Sequence, residues 1–301
     1  MDKLSFGFDG GRKPAVMYFS ASGLQDYVAC PRRFQLRHVL GLKWPAPETA
    51  RPAEQEEHIW LGRELHRLIH QHLLGIPIER LSSTVLHTRL KRWWHAYLAF
   101  VPRLHPMRVL PEITLSAPLA GQRLVARFDA IAVTDRPDAD VRVILLDWKT
   151  YRHRPSRAWL AARLQTRVYP VVLMRAGGNL IETGSPSDLA MWYWFAEHPL
   201  NPERFRYSES AYRADLTYLE ELIAEIVRRL ETLSPLNAAE EVWPLTEDER
   251  ECRYCAYRSL CRRETVRSSE EYMPDDDALH EALPYEMEWE PEGLQSPEMT
   301  F

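Results

Sequence analysis

Leu146-Asp147-Trp148-Lys149-Thr150 is the stretch on which the reading of this chain turns. The apolar run ahead of it, Val141 to Leu146, predicts a buried strand, with Asp147 and Lys149 at its C-terminal end. Side chains alternate along a strand, so both point to one face. An acid and an amine placed there are costly to bury unless they pair or bind something. Upstream, Arg123 to Val133 reads as a second strand carrying Asp129, and the turn-rich segment Thr134 to Asp140 joins the two. An antiparallel hairpin is the simplest pairing and brings Asp129 near Asp147. Two carboxylates beside an ammonium suit a hard divalent cation, Mg²⁺ or Mn²⁺. The lysine can then orient a water or neutralise charge on a phosphoryl oxygen. An isolated D-x-K is more often a surface ion pair, and its company decides otherwise.

At 301 residues the chain is long enough for one large domain or two small ones, and its hydrophobic and charged fractions are those of a globular protein. No apolar stretch is long enough to cross a bilayer, and Met1 to Gly11 lacks the pattern of a signal peptide, so a cytoplasmic location is expected. The formal net charge of −5 argues by itself against a nucleic-acid partner. Its distribution changes that argument. Ser268 to Phe301 holds eleven of the 43 acidic residues and no Lys or Arg, which leaves the remainder net basic and compatible with a polyanion.

The four cysteines are Cys30, Cys252, Cys255 and Cys261, too few for a disulfide scaffold. The last three crowd one short segment, as ligands of a single metal centre do. A tetrahedral zinc or an iron–sulfur cluster needs a fourth ligand, and Cys30 is the cysteine left to supply it. Spacing does not separate these two and by itself leans to zinc.

Along the chain, Ser20-Ala-Ser22 opens a helical pattern that runs through Cys30-Pro31 to Gly41, followed by a Pro- and Ala-rich loop from Trp44 to Glu54. Helices are expected over Glu56 to Leu74, Ser83 to Val101, Ser156 to Met174 and Ala211 to Leu233, and further strands over Leu110 to Leu119 and Ala190 to Phe195. The segment after Ser268 is acidic and punctuated by proline, a composition that argues for disorder.

Taken together these residues resemble the RecB-like branch of the PD-(D/E)XK nuclease superfamily in its iron–sulfur form, which includes the nuclease domain of AddB and the small nucleases of CRISPR spacer acquisition. The resemblance spans Ser20 to Arg263. Cys30-Pro31-Arg32-Arg33-Phe34 looks like the N-terminal cluster-cysteine motif, and Gly62-x-x-x-His66 is similar to the first nuclease motif. Phe128-Asp129 fills the place of the signature "PD" without its proline, Asp147-Trp148-Lys149 that of (D/E)-x-K, and Gln165-Thr-Arg-Val-Tyr169 that of Q-x-x-x-Y. Pro170 directly after the tyrosine is a departure that predicts a bend or a stop in that helix.

The resemblance implies a restriction-endonuclease-like α/β fold: a small mixed sheet flanked by helices, with N- and C-terminal segments joined at a four-cysteine cluster. It divides the chain into 1–82, with the first cluster cysteine and the histidine motif; 83–235, the nuclease core; 236–267, the C-terminal cluster segment; and 268–301, the tail. It implies Mg²⁺- or Mn²⁺-dependent cleavage of DNA, preferentially single strands or ends, in repair, recombination or CRISPR adaptation. Asp129, Asp147, His66 and the carbonyl of Trp148 are then the metal site, Lys149 positions the attacking water, and Gln165 and Tyr169 help hold DNA. Cys30, Cys252, Cys255 and Cys261 become ligands of a 4Fe–4S cluster.

Glu112 is a candidate second-metal ligand and more often a solvated glutamate. His70 and His72 read as ordinary surface or packing residues, since no third ligand is evident. Trp93-Trp94 and Trp192-Tyr193-Trp194 read mainly as core. Arg152, Arg154, Arg157 and Arg163 are candidates for phosphate contact. No G-x-x-x-x-G-K-[ST] motif is present, so any unwinding falls to a partner such as a helicase, with spacer-integration proteins as the other candidate partners. The alternatives are a catalytically silent nuclease-fold DNA-binding subunit with a structural iron–sulfur or zinc site, and an unrelated zinc protein.

Overall fold

The hairpin around Asp129 and Asp147 forms as its sequence requires. In the computed structural model β2 (Arg108–Leu119), β3 (Gln122–Val133) and β4 (Val143–Lys149) are consecutive antiparallel strands. The structure describes residues 16–42, then 53–233 apart from 137, 179, 182 and 183, and then 242–263 apart from 254. The acidic tail 268–301, most of the Trp44 to Glu54 loop and the boundary at 235/236 lie outside the described residues.

A short β1 (Tyr18–Ser20) adds parallel to the N-terminal half of β3. β4 pairs in parallel with β5 (Leu189–Phe195), and the edge strand β6 (Glu203–Arg206) closes the six-stranded mixed sheet antiparallel to β5. β6 reads Glu-Arg-Phe-Arg and offers no apolar alternation, so nothing in the sequence marks it.

Helices cover both faces. On one lie α1 (Ala21–Ala29), α7 (Leu164–Ala176) and α8 (Glu209–Thr232), with Leu24, Val168, Val172, Ile223 and Ile226 packed on Phe128, Leu145 and Met191. On the other lie α3 (Ala53–Leu73), α4 (Ile78–Thr84) and α5 (Thr88–Phe100), where Leu61, Leu65, Leu68 and Ile69 form the apolar stripe of α3. Trp93, Trp94 and Trp194 are fully buried there, which makes them core and not a stacking platform. The fold is the expected restriction-endonuclease-like α/β arrangement.

Two expected helices differ in detail. Ser83 to Val101 is two helices, because the His87 side chain accepts from Arg89 N–H and starts α5 afresh; the 82/83 boundary falls inside α4. Ser156 to Met174 is also two, α6 (Arg157–Ala162) and α7, broken at an extended Arg163 where the Thr166 hydroxyl donates to the Leu160 carbonyl. Pro170 neither stops nor ends α7, since the apolar turn Val168 to Leu173 is buried and that burial outweighs one lost backbone bond.

At the N-terminus, Ser20 caps α1 by accepting from Gly23 N–H at 3.1 Å. Cys30 then breaks the helix with an extended backbone before α2 (Pro31–Phe34) and a π-helical turn, Gln35–Val39. This region docks on the C-terminal segment. The Phe34 ring stacks on Trp243, Trp243 N–H donates to the Gln35 side chain, and Tyr257 donates to the Leu42 carbonyl.

Candidate functional site

β3 carries two partners on one edge, β1 at Arg123 to Val125 and β4 at Ala130 to Val133. Between them β3 and β4 part. Pairing ends at Ala130 and Leu146, while Asp147, Trp148 and Lys149 continue beside β5 alone. The result is a fork, and Asp129 stands at its base.

The fork coincides with a kink. On β3 Leu124, Ala126 and Phe128 face the α7 layer, yet beyond Asp129 the facing inverts, so that Ile131 and Val133 face it while Ala130 and Ala132 face α3 and α5. β2 makes the same switch at Glu112, opposite Asp129 in the register, with φ at +46°. A glutamate in the left-handed region is strained, and such strain gathers where function needs an irregular strand. Glu112 itself accepts from Arg127 at 2.8 Å and faces His70.

Freed from the regular alternation, Asp129 reaches across the fork. Its Oδ2 accepts the Trp148 backbone N–H at 2.8 Å, and its Oδ1 lies 3.4 Å from His66 Nδ1. His66, on α3, donates from Nε2 to the Trp148 carbonyl at 2.8 Å. Burial works against charge on that imidazole, but Asp129, with Asp147 behind it, outweighs burial and holds His66 above its ordinary pKa. Burial likewise resists charge on Asp129, and His66, the Trp148 N–H and Lys149 together hold its carboxyl below the usual range.

Asp147 and Lys149 are 2% and 6% exposed, so this acid and amine are not a surface pair. Lys149 Nζ lies 2.8 Å from Asp147 Oδ1 and donates to Gln165 Oε1 at 3.0 Å; Gln165 Nε2 donates in turn to Asp147 Oδ2 at 2.5 Å. Gln165 comes from the first turn of α7, so helices from both layers converge on the fork. Tyr169, one turn on, is buried with its ring 4.9 Å from that of Phe128.

The donor set of Asp129, Asp147 and the Trp148 carbonyl is hard and oxygen-rich, and the Asp129 carboxyl is held ionised, which fits Mg²⁺ or Mn²⁺ in kind. Cys30, Cys252, Cys255 and Cys261 are free thiols. Burial first, then the neighbouring Cys255 and Cys30, push Cys252 up to about 11; burial also raises Cys255 and Cys261. The segment of the early thiol docks on that of the late three, with the Arg32 N–H donating to the Pro244 carbonyl at 3.1 Å, and four thiols suit zinc or an iron–sulfur cluster in kind. Among the described residues, though, no group of three or more His, Cys, Asp or Glu side chains is gathered to hold a metal ion, at the fork or at the thiols.

The arginines after the D-x-K strand are engaged within the protein. Arg154 and Arg157 both pair with Glu203, Arg157 lies over the Phe205 ring, and Arg163 lies over Trp159. Two contributors were not foreseen. His58 is buried against the Thr150 carbonyl, and Gln25 of α1 accepts the Leu164 N–H that opens α7. His58 lies eight residues before His66 on the same helical pattern, which is a usable signal; Gln25 carries none.

A model of the PD-(D/E)XK nuclease superfamily matches residues 18–262. No curated protein matches the chain. Among solved structures, a provisionally named exonuclease from Eubacterium rectale aligns at TM-score 0.45 and 11% identity, covering 88% of this chain and 93% of its own. SSO0001 aligns at TM-score 0.35 and 13% identity, covering 83% and 87%.

Proposed function

The chain belongs to the PD-(D/E)XK nuclease superfamily, and we propose that it is a metal-dependent deoxyribonuclease that hydrolyses phosphodiester bonds of single strands or DNA ends. The observation that carries this reading is the fork, where two acids and a lysine that is 6% exposed meet on strands that have stopped pairing. Burial of that kind is costly and is sustained where a site needs it.

In this reading Asp129, Asp147 and the Trp148 carbonyl hold a Mg²⁺ or Mn²⁺, with His66 completing or tuning the shell. Such an ion, when bound, acidifies its water and offsets charge on the phosphoryl oxygens. Lys149 orients the attacking water through its ammonium, and Gln165 keeps that ammonium and the Asp147 carboxylate in register. Tyr169, packed on Phe128 one turn beyond Gln165, backs the face of α7 that in this reading helps hold DNA near the metal. The pathway is repair, recombination or CRISPR adaptation in the cytoplasm, with a helicase or spacer-integration proteins as partners. Among the described residues no helix is long and apolar enough to cross a membrane.

The four-thiol region holds a 4Fe–4S cluster in the same reading, on the strength of the resemblance of its motifs. A brown protein with visible absorbance supports that assignment, and a colourless one with stoichiometric zinc overturns it. In this reading the chain divides functionally into 1–82, 83–235, 236–267 and 268–301.

Cleavage of an end-labelled single strand with Mn²⁺ tests the nuclease reading. Wild-type protein cuts, and folded Lys149→Ala does not. A wild-type chain that binds DNA but leaves it uncut whichever divalent metal is supplied is instead the silent DNA-binding subunit.

A further inference from the structure

Where β3 leaves β4, the edge of β4 it vacates is closed by side chains. Trp148 turns both its N–H and its carbonyl to that edge, the first to Asp129 and the second to His66. Thr150, two residues on, turns its carbonyl the same way, as strand alternation requires. His58 Nε2 meets it at 2.7 Å. The carbonyl between them, that of Lys149, points to the opposite edge and accepts from Ala196 N–H at 2.8 Å. Both backbone flanks of Lys149 are therefore held by histidines of one helix.

His58 has little freedom in this position. It is 3% exposed, and its ring stands edge-on to the fully buried Trp93 at 5.4 Å between centroids. On the edge that β3 vacates, His66 holds the strand only at Trp148, and beyond it the strand end is tied to β5 alone, which leaves it free to pivot about that edge. A second anchor at Thr150 removes that pivot and sets the direction in which the lysine leaves the backbone.

We propose that His58 is a positioning residue of the nuclease site: its Nε2–H stands in for a missing strand, clamps the Thr150 carbonyl and so fixes where Lys149 and the Trp148 carbonyl lie. This rests on the nuclease reading above and adds to it a residue outside the family motifs in this chain. His58 touches no substrate and acts through β4.

The test compares the full chain with His58→Leu and His58→Gln on a labelled DNA single strand with Mn²⁺, alongside hydrogen exchange at the Trp148 and Ala196 amides. A small misplacement of a reacting group costs rate more than binding, so His58→Leu loses about tenfold or more in kcat with KM nearly unchanged. Exchange at both amides speeds up. Glutamine carries an amide nitrogen as many bonds from Cβ as Nε2, so His58→Gln restores both the rate and the protection. Wild-type kcat and exchange in His58→Leu overturn the proposal. So does a loss that glutamine fails to rescue, which marks a packing role. If the wild type cuts nothing, the nuclease reading fails instead, and exchange alone decides whether His58 holds this strand end.

Discussion

Asp129 on β3 accepts the backbone N–H of Trp148 on β4 at 2.8 Å, in the place that a neighbouring strand would fill. One oxygen of the carboxylate therefore holds the fork together while the other faces His66. Structure and chemistry can be separated at this residue by substitution. Asp129→Asn keeps an acceptor for Trp148 but loses the charge, so it folds with near wild-type stability and has no nuclease activity. Asp129→Ala also leaves a buried N–H unpaired and is less stable than the asparagine variant by about 1–3 kcal/mol. Urea unfolding of both variants checks this, and equal stabilities would sink it.

Asp147 and Lys149 make a buried pair, and buried pairs respond asymmetrically to mutation. Removing one partner strands the other charge and costs about 3–5 kcal/mol, whereas removing both can be neutral. Asp147→Asn and Lys149→Met are each expected to lower the unfolding midpoint strongly. The double variant recovers most of that loss while staying inactive. Additive losses in the double variant would show that the two side chains are not coupled in the folded chain.

α7 begins without a side-chain cap of its own, and the Gln25 side chain of α1 supplies one by accepting Leu164 N–H at 3.1 Å. Gln165 sits in that first turn and bridges Asp147 and Lys149. Gln25→Ala is expected to cost about 1 kcal/mol, as loss of a helix cap does, and to slow cleavage through Gln165. In a Gln165→Ala background the same substitution then slows cleavage no further. A full additional loss there would mean that Gln25 acts by another route.

The fold was legible because its core strands are apolar and alternate, and because D-x-K, the upstream aspartate and the histidine motif lie at spacings that a hairpin and a helix can bring together. What stayed hidden has physical causes. Charged β6 gives no alternation, and the breaks at Val85 to His87 and at Arg163 come from side chains bonding to the backbone, which periodicity does not register. The inversion of facing at Glu112 and Asp129 is invisible to a period-two reading, because that reading assumes the regularity the kink destroys. Gln25 and His58 escaped because each acts on the backbone of an element distant in sequence.

Asp26 tests the junction between the two ends of the chain. It is 4% exposed on α1, yet it meets Arg33 at 2.9 Å, Arg37 at 2.8 Å and His38 at 2.9 Å, and Arg33 extends to Glu251 of the C-terminal segment at 3.4 Å. Burial pulls its carboxyl upward, but Arg37, His38 and Arg33 prevail and hold it far below the usual carboxylate range. The unfolded chain binds a proton here at about pH 3.9, above the folded value, so this stabilisation is complete above that pH and is lost as pH falls below it. Asp26→Asn leaves the buried cations unanswered and is expected to cost about 3 kcal/mol at pH 7. Its deficit against the wild type then shrinks as the pH falls below about 4, because acid removes from the wild type the charge that the variant already lacks. Urea titrations at neutral and strongly acidic pH measure both stabilities, and a deficit that stays constant across that range would mean that the Asp26 charge does not hold this junction.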